Sequence, residues 1–149
     1  MASISEVLGV CTPFDRKNRD GEIQEYCLAS IQPHHRAMFE AWLRKQAWEC
    51  IEQAKQWVND ETTRTSISVL TQDIAAKRYS MGSRNYDDAS RAREGVRYLM
   101  MLMLRENHKD VDEEWVEKWL ADDPVKAVWH YNEALGVKQT ETKADGPAG

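Results

Sequence analysis

The sequence predicts a mainly α fold: a compact bundle of about five helices behind an irregular N-terminal arm with room for one or two short strands. Three observations predict it. From Phe39 onward apolar residues recur at spacings of three and four. Helix-start and helix-stop residues punctuate the C-terminal half at short intervals. Breakers gather instead in residues 1–34, as Gly9, Pro13, Gly21 and Pro33. The boundaries that follow are an arm at 1–34, a helical domain at 35–136 and a disordered tail at 137–149, polar and ending in Gly-Pro-Ala-Gly.

Within the arm, Glu22 to Leu28 partly alternates, with Ile23 and Tyr26 to Leu28 as its apolar members. It reads either as one short strand, needing a partner strand from elsewhere, or as an extended arm lying on the helices. The first helix starts after Pro33, with Phe39, Trp42, Leu43, Cys50, Ile51, Ala54, Trp57 and Val58 along one wide stripe. Trp48 lies off that stripe, at the edge of the core or exposed for a partner. A second helix is expected over Glu61 to Tyr79, with Ile67, Leu70 and Ile74 on one face and several threonines lowering its propensity. Gly82 is placed to end it with a positive φ.

A central helix follows, from about Asp87 to Glu106, with acidic Asp87 and Asp88 near its positive end. Its stretch Tyr98 to Leu104 is apolar on every side, so other helices or a partner must wrap it. Gly95 in its middle costs about 1 kcal/mol relative to Ala, which suggests another helix passing close by. Asp110 to Glu113 has capping-box spacing, with Asp110 in the cap role, and opens a short helix bearing Trp115, Val116, Trp119 and Leu120. Asp123 and Pro124 start a last helix carrying Val125, Val128, Trp129 and Leu135, and Gly136 suits its end.

Composition narrows the classes. The 149 residues can bury a real core, and six Trp supply large anchors for it. A formal charge of −5 disfavours a general nucleic-acid grip. The longest apolar run is far below a membrane span, and no leader pattern opens the chain. Three widely spaced cysteines (Cys11, Cys27, Cys50) suggest neither a disulfide framework nor a zinc cage, so reduced thiols are expected.

No constellation for bond-breaking chemistry stands out, and no catalytic residue, metal ligand or cofactor is assigned. His34 and His35 read as satisfied surface histidines at a helix start. The carboxylates Asp110, Asp112, Glu113, Glu114 and Glu117 lack the pattern of an EF-hand loop, and helix capping explains them more simply. Nucleophile-elbow, phosphate-loop and dinucleotide motifs are missing from the sequence. From Lys77 to Arg105 seven basic residues stand against three acidic ones; from Glu106 to Asp123 eight acidic stand against two basic. Either the split makes a dipolar docking surface, or two neighbouring helices attract each other. The methionines of Leu99 to Leu104 likewise read as core or as an adaptable partner surface.

The order of features from Tyr79 onward resembles phage tail assembly chaperones and the small helical morphogenesis proteins encoded beside them. The residues that carry the resemblance are Tyr79, Gly82 and Ser83, then Gly95, Tyr98, Leu99, Leu102, Leu104 and Arg105. His108, Val111, Glu114, Val116 and Leu120 complete it. It covers about residues 79–135, mostly through apolar spacing, and departs from the family pattern in the Thr-rich segment and the long arm. The resemblance implies a non-enzymatic protein of the bacterial host cytoplasm that coats a helical tape measure protein, recruits tail tube subunits and self-associates weakly. Tyr98, Met101, Leu102, Trp115, Trp119 and Trp48 are the candidate partner-binding residues, readable as groove or as core. Two alternatives are a structural virion component, such as a head–tail connector or minor tail protein, and a hydrolase built on the carboxylates near Asp110.

Overall fold

The computed structural model describes residues 11–56 and 60–136, among which six helices and one two-stranded antiparallel sheet make a mainly α chain. Trp57, Val58 and the tail expected at 137–149 lie outside the described residues. Contacts divide the chain into two units, residues 33–96 and residues 11–32 with 97–136.

In the second of these units the arm supplies its own strand partner. Strand β1 (Pro13–Lys17) pairs antiparallel with β2 (Ile23–Cys27), Phe14 opposite Tyr26 and Lys17 opposite Ile23. Asn18 organises the turn between them. Its side-chain oxygen accepts the N–H groups of Asp20 (2.9 Å) and Glu22 (3.0 Å), and its own N–H reaches the Glu22 carbonyl (2.8 Å). Gly21, at φ 82°, supplies the left-handed residue that a three-residue hairpin loop needs. Alternation then turns Phe14 and Tyr26 inward and leaves Asp15, Lys17, Ile23 and Glu25 exposed.

A disulfide joins Cys11 to Cys27, with Cα atoms 5.9 Å apart, and corrects the expectation of three reduced thiols. The sequence hid it because the pairing depends on the hairpin, which brings the residue before β1 beside the end of β2. Cys50 is the exposed free thiol.

The helices that follow the hairpin in this unit begin and end on local chemistry. Helix α5 (Glu113–Asp122) is capped by Asp112, whose carboxylate accepts the Trp115 N–H at 2.9 Å. The cap is therefore two residues later than the expected Asp110. Helix α6 (Pro124–Ala134) starts with Pro at its first turn, and Gly136 follows its end at φ 78°. Ile31 N–H binds the Ala134 carbonyl at 2.8 Å, satisfying an acceptor that the helix end leaves open. The buried face of α6 is Ala127, His130, Tyr131 and Ala134, while Val125, Val128 and Trp129 face outward. Aromatic and imidazole rings win the inner face because the neighbouring surface is itself aromatic.

In the unit formed by 33–96, helix α1 (Pro33–Lys55) buries a single i+4 row: His35, Phe39, Leu43, Ala47 and Ile51. Cys50 falls outside it and is exposed. His35 is buried, against the expectation of a surface histidine, and its ring lies 4.1 Å from that of His34. Helix α2 (Glu61–Ala75) is capped by Asp60, which accepts the Thr63 N–H at 2.7 Å. Ile67, Leu70 and Ile74 are only half-buried, and the helix stops four residues before Tyr79, where Lys77 adopts φ 58°.

The expected helix over Asp87 to Glu106 is two helices, α3 (Arg84–Arg91) and α4 (Arg93–Leu104). Ser83 caps α3, and the break falls at Ala92, whose backbone turns extended at ψ 150°. This break explains Gly95. A Cβ there would run into the Ala89 carbonyl across the turn and lie 3.3 Å from Phe39 Cζ. The glycine serves a tight corner as well as a close side chain from α1. Tyr86, beside the corner, meets Phe39 edge-on at 5.1 Å. Beyond the corner every residue from Leu99 to Leu104 is buried, as an all-apolar helix requires.

Two measurements check these features. Alkylation of the unfolded, unreduced chain should modify Cys50 alone, and all three cysteines after reduction. Reduction should also lower stability by about 3 kcal/mol, the loop-closure value for a separation near 16 residues. Three alkyl groups without reductant would remove the bond. Gly95→Ala should lower stability by about 1–3 kcal/mol in urea unfolding, because overpacking against Ala89 exceeds the helix-propensity gain. A stabilised variant would show that the corner can relax.

Candidate functional site

The site is assembled by the hairpin, α5 and α6, all in the unit of 11–32 and 97–136. Phe14 projects from β1 and is stacked with two rings. Trp119 of α5 lies at 4.3 Å and 12°, and Tyr26 of β2 at 5.9 Å and 25°. Trp115 approaches Tyr26 at 4.7 Å, and His130 of α6 approaches Phe14 at 4.7 Å. Trp129 meets His130 edge-on at 5.0 Å.

Two depressions border this cluster. A cleft of about 470 Å³ runs between β1 and α6, lined chiefly by Phe14, Trp119, Trp129, His130 and Lys126, with Asp15 and Asp123 at its polar parts. Its size is that of a site for a small molecule or for a few side chains. A crevice of about 640 Å³ lies between the hairpin turn and α5. Ion pairs brace that crevice: Arg16 to Asp122 at 2.8 Å, and Arg19 to Asp112. The Arg16 guanidinium also lies over the Trp115 ring, 5.6 Å from its centre.

The titratable groups in the cluster are held neutral or firmly ionised by their surroundings. Burial pushes the His130 pKa down, nearby Lys126 pushes it further, and Asp123 opposes both. Burial also lowers His108, against Asp110. Neutral His108 is needed structurally, because its Nε2 accepts the Cys27 N–H at 3.0 Å. Tyr26 is raised, by burial first and then by Asp110. Asp112 is lowered chiefly by the Trp115 N–H it caps, and then by Arg19.

The candidate partner-binding residues separate by burial. Met101, Leu102, Trp115 and Trp119 are buried, Tyr98 is half-buried, and Trp48 on α1 is 45% exposed. Trp115 and Trp119 meet in the cluster at 5.8 Å. The carboxylates near Asp110 carry structural duties: Asp112 caps α5, while Glu113 and Glu117 receive Arg97 of α4 at 3.8 and 3.3 Å. Those last pairs join the basic and the acidic segment through neighbouring helices. Arg78 and Arg84 instead turn to Asp73 and Asp88, close by in sequence.

Sequence reasoning missed Phe14, Arg16, His130 and Trp129 as parts of one site. The alternation of Phe14 and Arg16 is the available signal, and two positions are too few to tell a strand there from an irregular arm. Comparison with protein-family models, with curated proteins and with solved structures finds no match to this chain. No helix among the described residues is long and apolar enough to cross a membrane.

The two histidines set a pH dependence. Each has a folded-state pKa below the unfolded value near 6.5, so the unfolded chain binds more protons between the two values. Their contribution is complete above the unfolded value and is lost as pH falls through the folded one. Urea unfolding should show stability decreasing as pH falls below the unfolded value. The His108→Gln, His130→Gln double variant should lose most of that slope. An undiminished slope would assign it to other groups.

Proposed function

We propose that this chain is a non-enzymatic assembly factor of a bacteriophage, similar in role to tail assembly chaperones and acting in the host cytoplasm. It would hold apolar helical segments of a tape measure protein and help recruit tail tube subunits. The observation that carries this reading is the outward face of α6. Val125, Val128 and Trp129 stand at i, i+3 and i+4 and are 80, 44 and 40% exposed. An exposed apolar stripe at helical spacing suits an amphipathic partner helix laid against it. Asp112, Glu113 and Glu117, three of the carboxylates that a hydrolase would use, are engaged in capping and ion pairs, which favours binding over chemistry.

A second reading has one specific observation behind it. The Cys11–Cys27 disulfide suits a protein that works outside a reducing cytoplasm, and virion surfaces are such a place. That favours a minor tail protein or connector retained in the particle.

Both readings meet in one experiment. Tagged protein is recovered from phage-producing cells, purified virions are probed in parallel, and every co-purifying chain is identified by mass. Recovery of a tape measure protein, absence from virions and loss of capture in Val125→Glu, Trp129→Glu would support the chaperone reading. Presence in virions with capsid, portal or tail-tip proteins would replace it with the structural one. Recovery of no phage-encoded chain would overturn both.

A further inference from the structure

The hydrogen-bonding phase of the hairpin can be fixed from two observed contacts. The Asn18 N–H donates across to the Glu22 carbonyl, which makes 18 and 22 a hydrogen-bonded pair. Counting by two along the register places Arg16 with Gln24, and Phe14 with Tyr26, in the same class. The intervening residues then point their backbone groups away from the partner strand. Cys27 confirms this phase on β2, because its N–H leaves the sheet and donates to His108 Nε2 at 3.0 Å. On β1 the outward groups are the N–H and C=O of Asp15 and Lys17 and the C=O of Pro13. Among the described residues none of these outward groups has a hydrogen-bond partner. An open strand edge of this kind is a template for another strand.

The cleft of about 470 Å³ lies along that edge, between β1 and α6. Its aromatic lining suits apolar side chains, and its charged members are Asp15, Asp123, Arg16 and Lys126. Asp123 occupies the N-cap of α6 yet makes no side-chain capping bond. Neither Asp123 nor Asp15 forms an ion pair among the described residues. Arg16 is already committed to Asp122, which leaves Lys126 as the one cation of the lining without an ion pair among the described residues. Two carboxylates thus outnumber one ammonium beside exposed Trp129, an arrangement that favours a guanidinium or ammonium group.

We propose that the outer edge of β1 and the cleft beside it form a strand-addition site for an extended segment of a partner protein. The segment carries a basic side chain next to a bulky apolar one. Its backbone pairs with Asp15 and Lys17, its apolar side chain enters among Trp119, Trp129 and His130, its neighbouring basic group meets Asp15 on the exposed face, and Asp123 adds negative charge at the cleft. This goes beyond the helix-binding role assigned to α6 and does not depend on the partner being a tail protein.

The test uses the full chain and a synthetic octapeptide alternating valine and arginine around a central phenylalanine. Binding is read by calorimetry and by tryptophan fluorescence. Saturable binding is expected, weakened about tenfold or more by Asp15→Asn, Asp123→Asn, which corresponds to losing about one charged hydrogen bond. Asp123 makes no side-chain capping bond that the substitution could lose, and an unchanged melting temperature verifies the fold. N-methylation of alternate peptide amides should abolish binding, and replacing the arginines by glutamates should do the same. Val125→Glu, on the outer stripe of α6, should bind as the parent chain does, which separates this site from the helix-binding reading. No binding at millimolar peptide, equal binding of the glutamate peptide, or indifference to N-methylation would each overturn the proposal.

Discussion

The stacking of Phe14 with Trp119 and with Tyr26 is the interaction on which the second unit depends. One phenylalanine from a five-residue strand bonds the hairpin to α5, and His130 extends the contact to α6. Each well-placed aromatic pair contributes about 0.5–1.5 kcal/mol beyond its buried area. A two-stranded hairpin is marginal alone in water, so this anchor and the Cys11–Cys27 bond let so small a sheet persist. The cleft exists for the same reason: the stack sets β1 against the helices at a distance that leaves space beside α6.

Polar groups around the stack serve its geometry before they serve any ligand. His108 closes the edge of β2, Asp112 caps α5, and Arg97 bridges to Glu113 and Glu117. What those duties leave uncommitted is informative. Among the described residues, the outer edge of β1, the Asp15 and Asp123 carboxylates and the exposed Val125 and Val128 of α6 are all on one unit, and all suit recognition of another chain. The proposed assembly role and the strand-addition site share Trp129 and otherwise draw on different parts of that surface.

Legibility from the sequence followed the range of the interactions involved. The Asp123–Pro124 start and the Gly136 end were readable because they rest on neighbours within one turn. The break at Ala92 was not, because the apolar pattern runs on through it. Only the close approach of Ala89 and Phe39 to Gly95 reveals the corner. The capping residue of α5 slipped from Asp110 to Asp112 because both are equally good cap formers, and packing of Trp115 chooses between them.

By itself the sequence determined a mainly α chain, the apolar segment that had to be buried at Leu99 to Leu104, and the helix starts at Pro33, Glu61 and Pro124. These follow from periodicity and backbone chemistry over a few residues. Tertiary structure decided that the arm folds back as a hairpin, that Cys11 meets Cys27, and that Phe14, Trp119 and His130 converge. It also decided that Val125, Val128 and Trp129 face outward. Those outcomes join residues more than a hundred positions apart, and local propensity carries no information about which distant face will be covered.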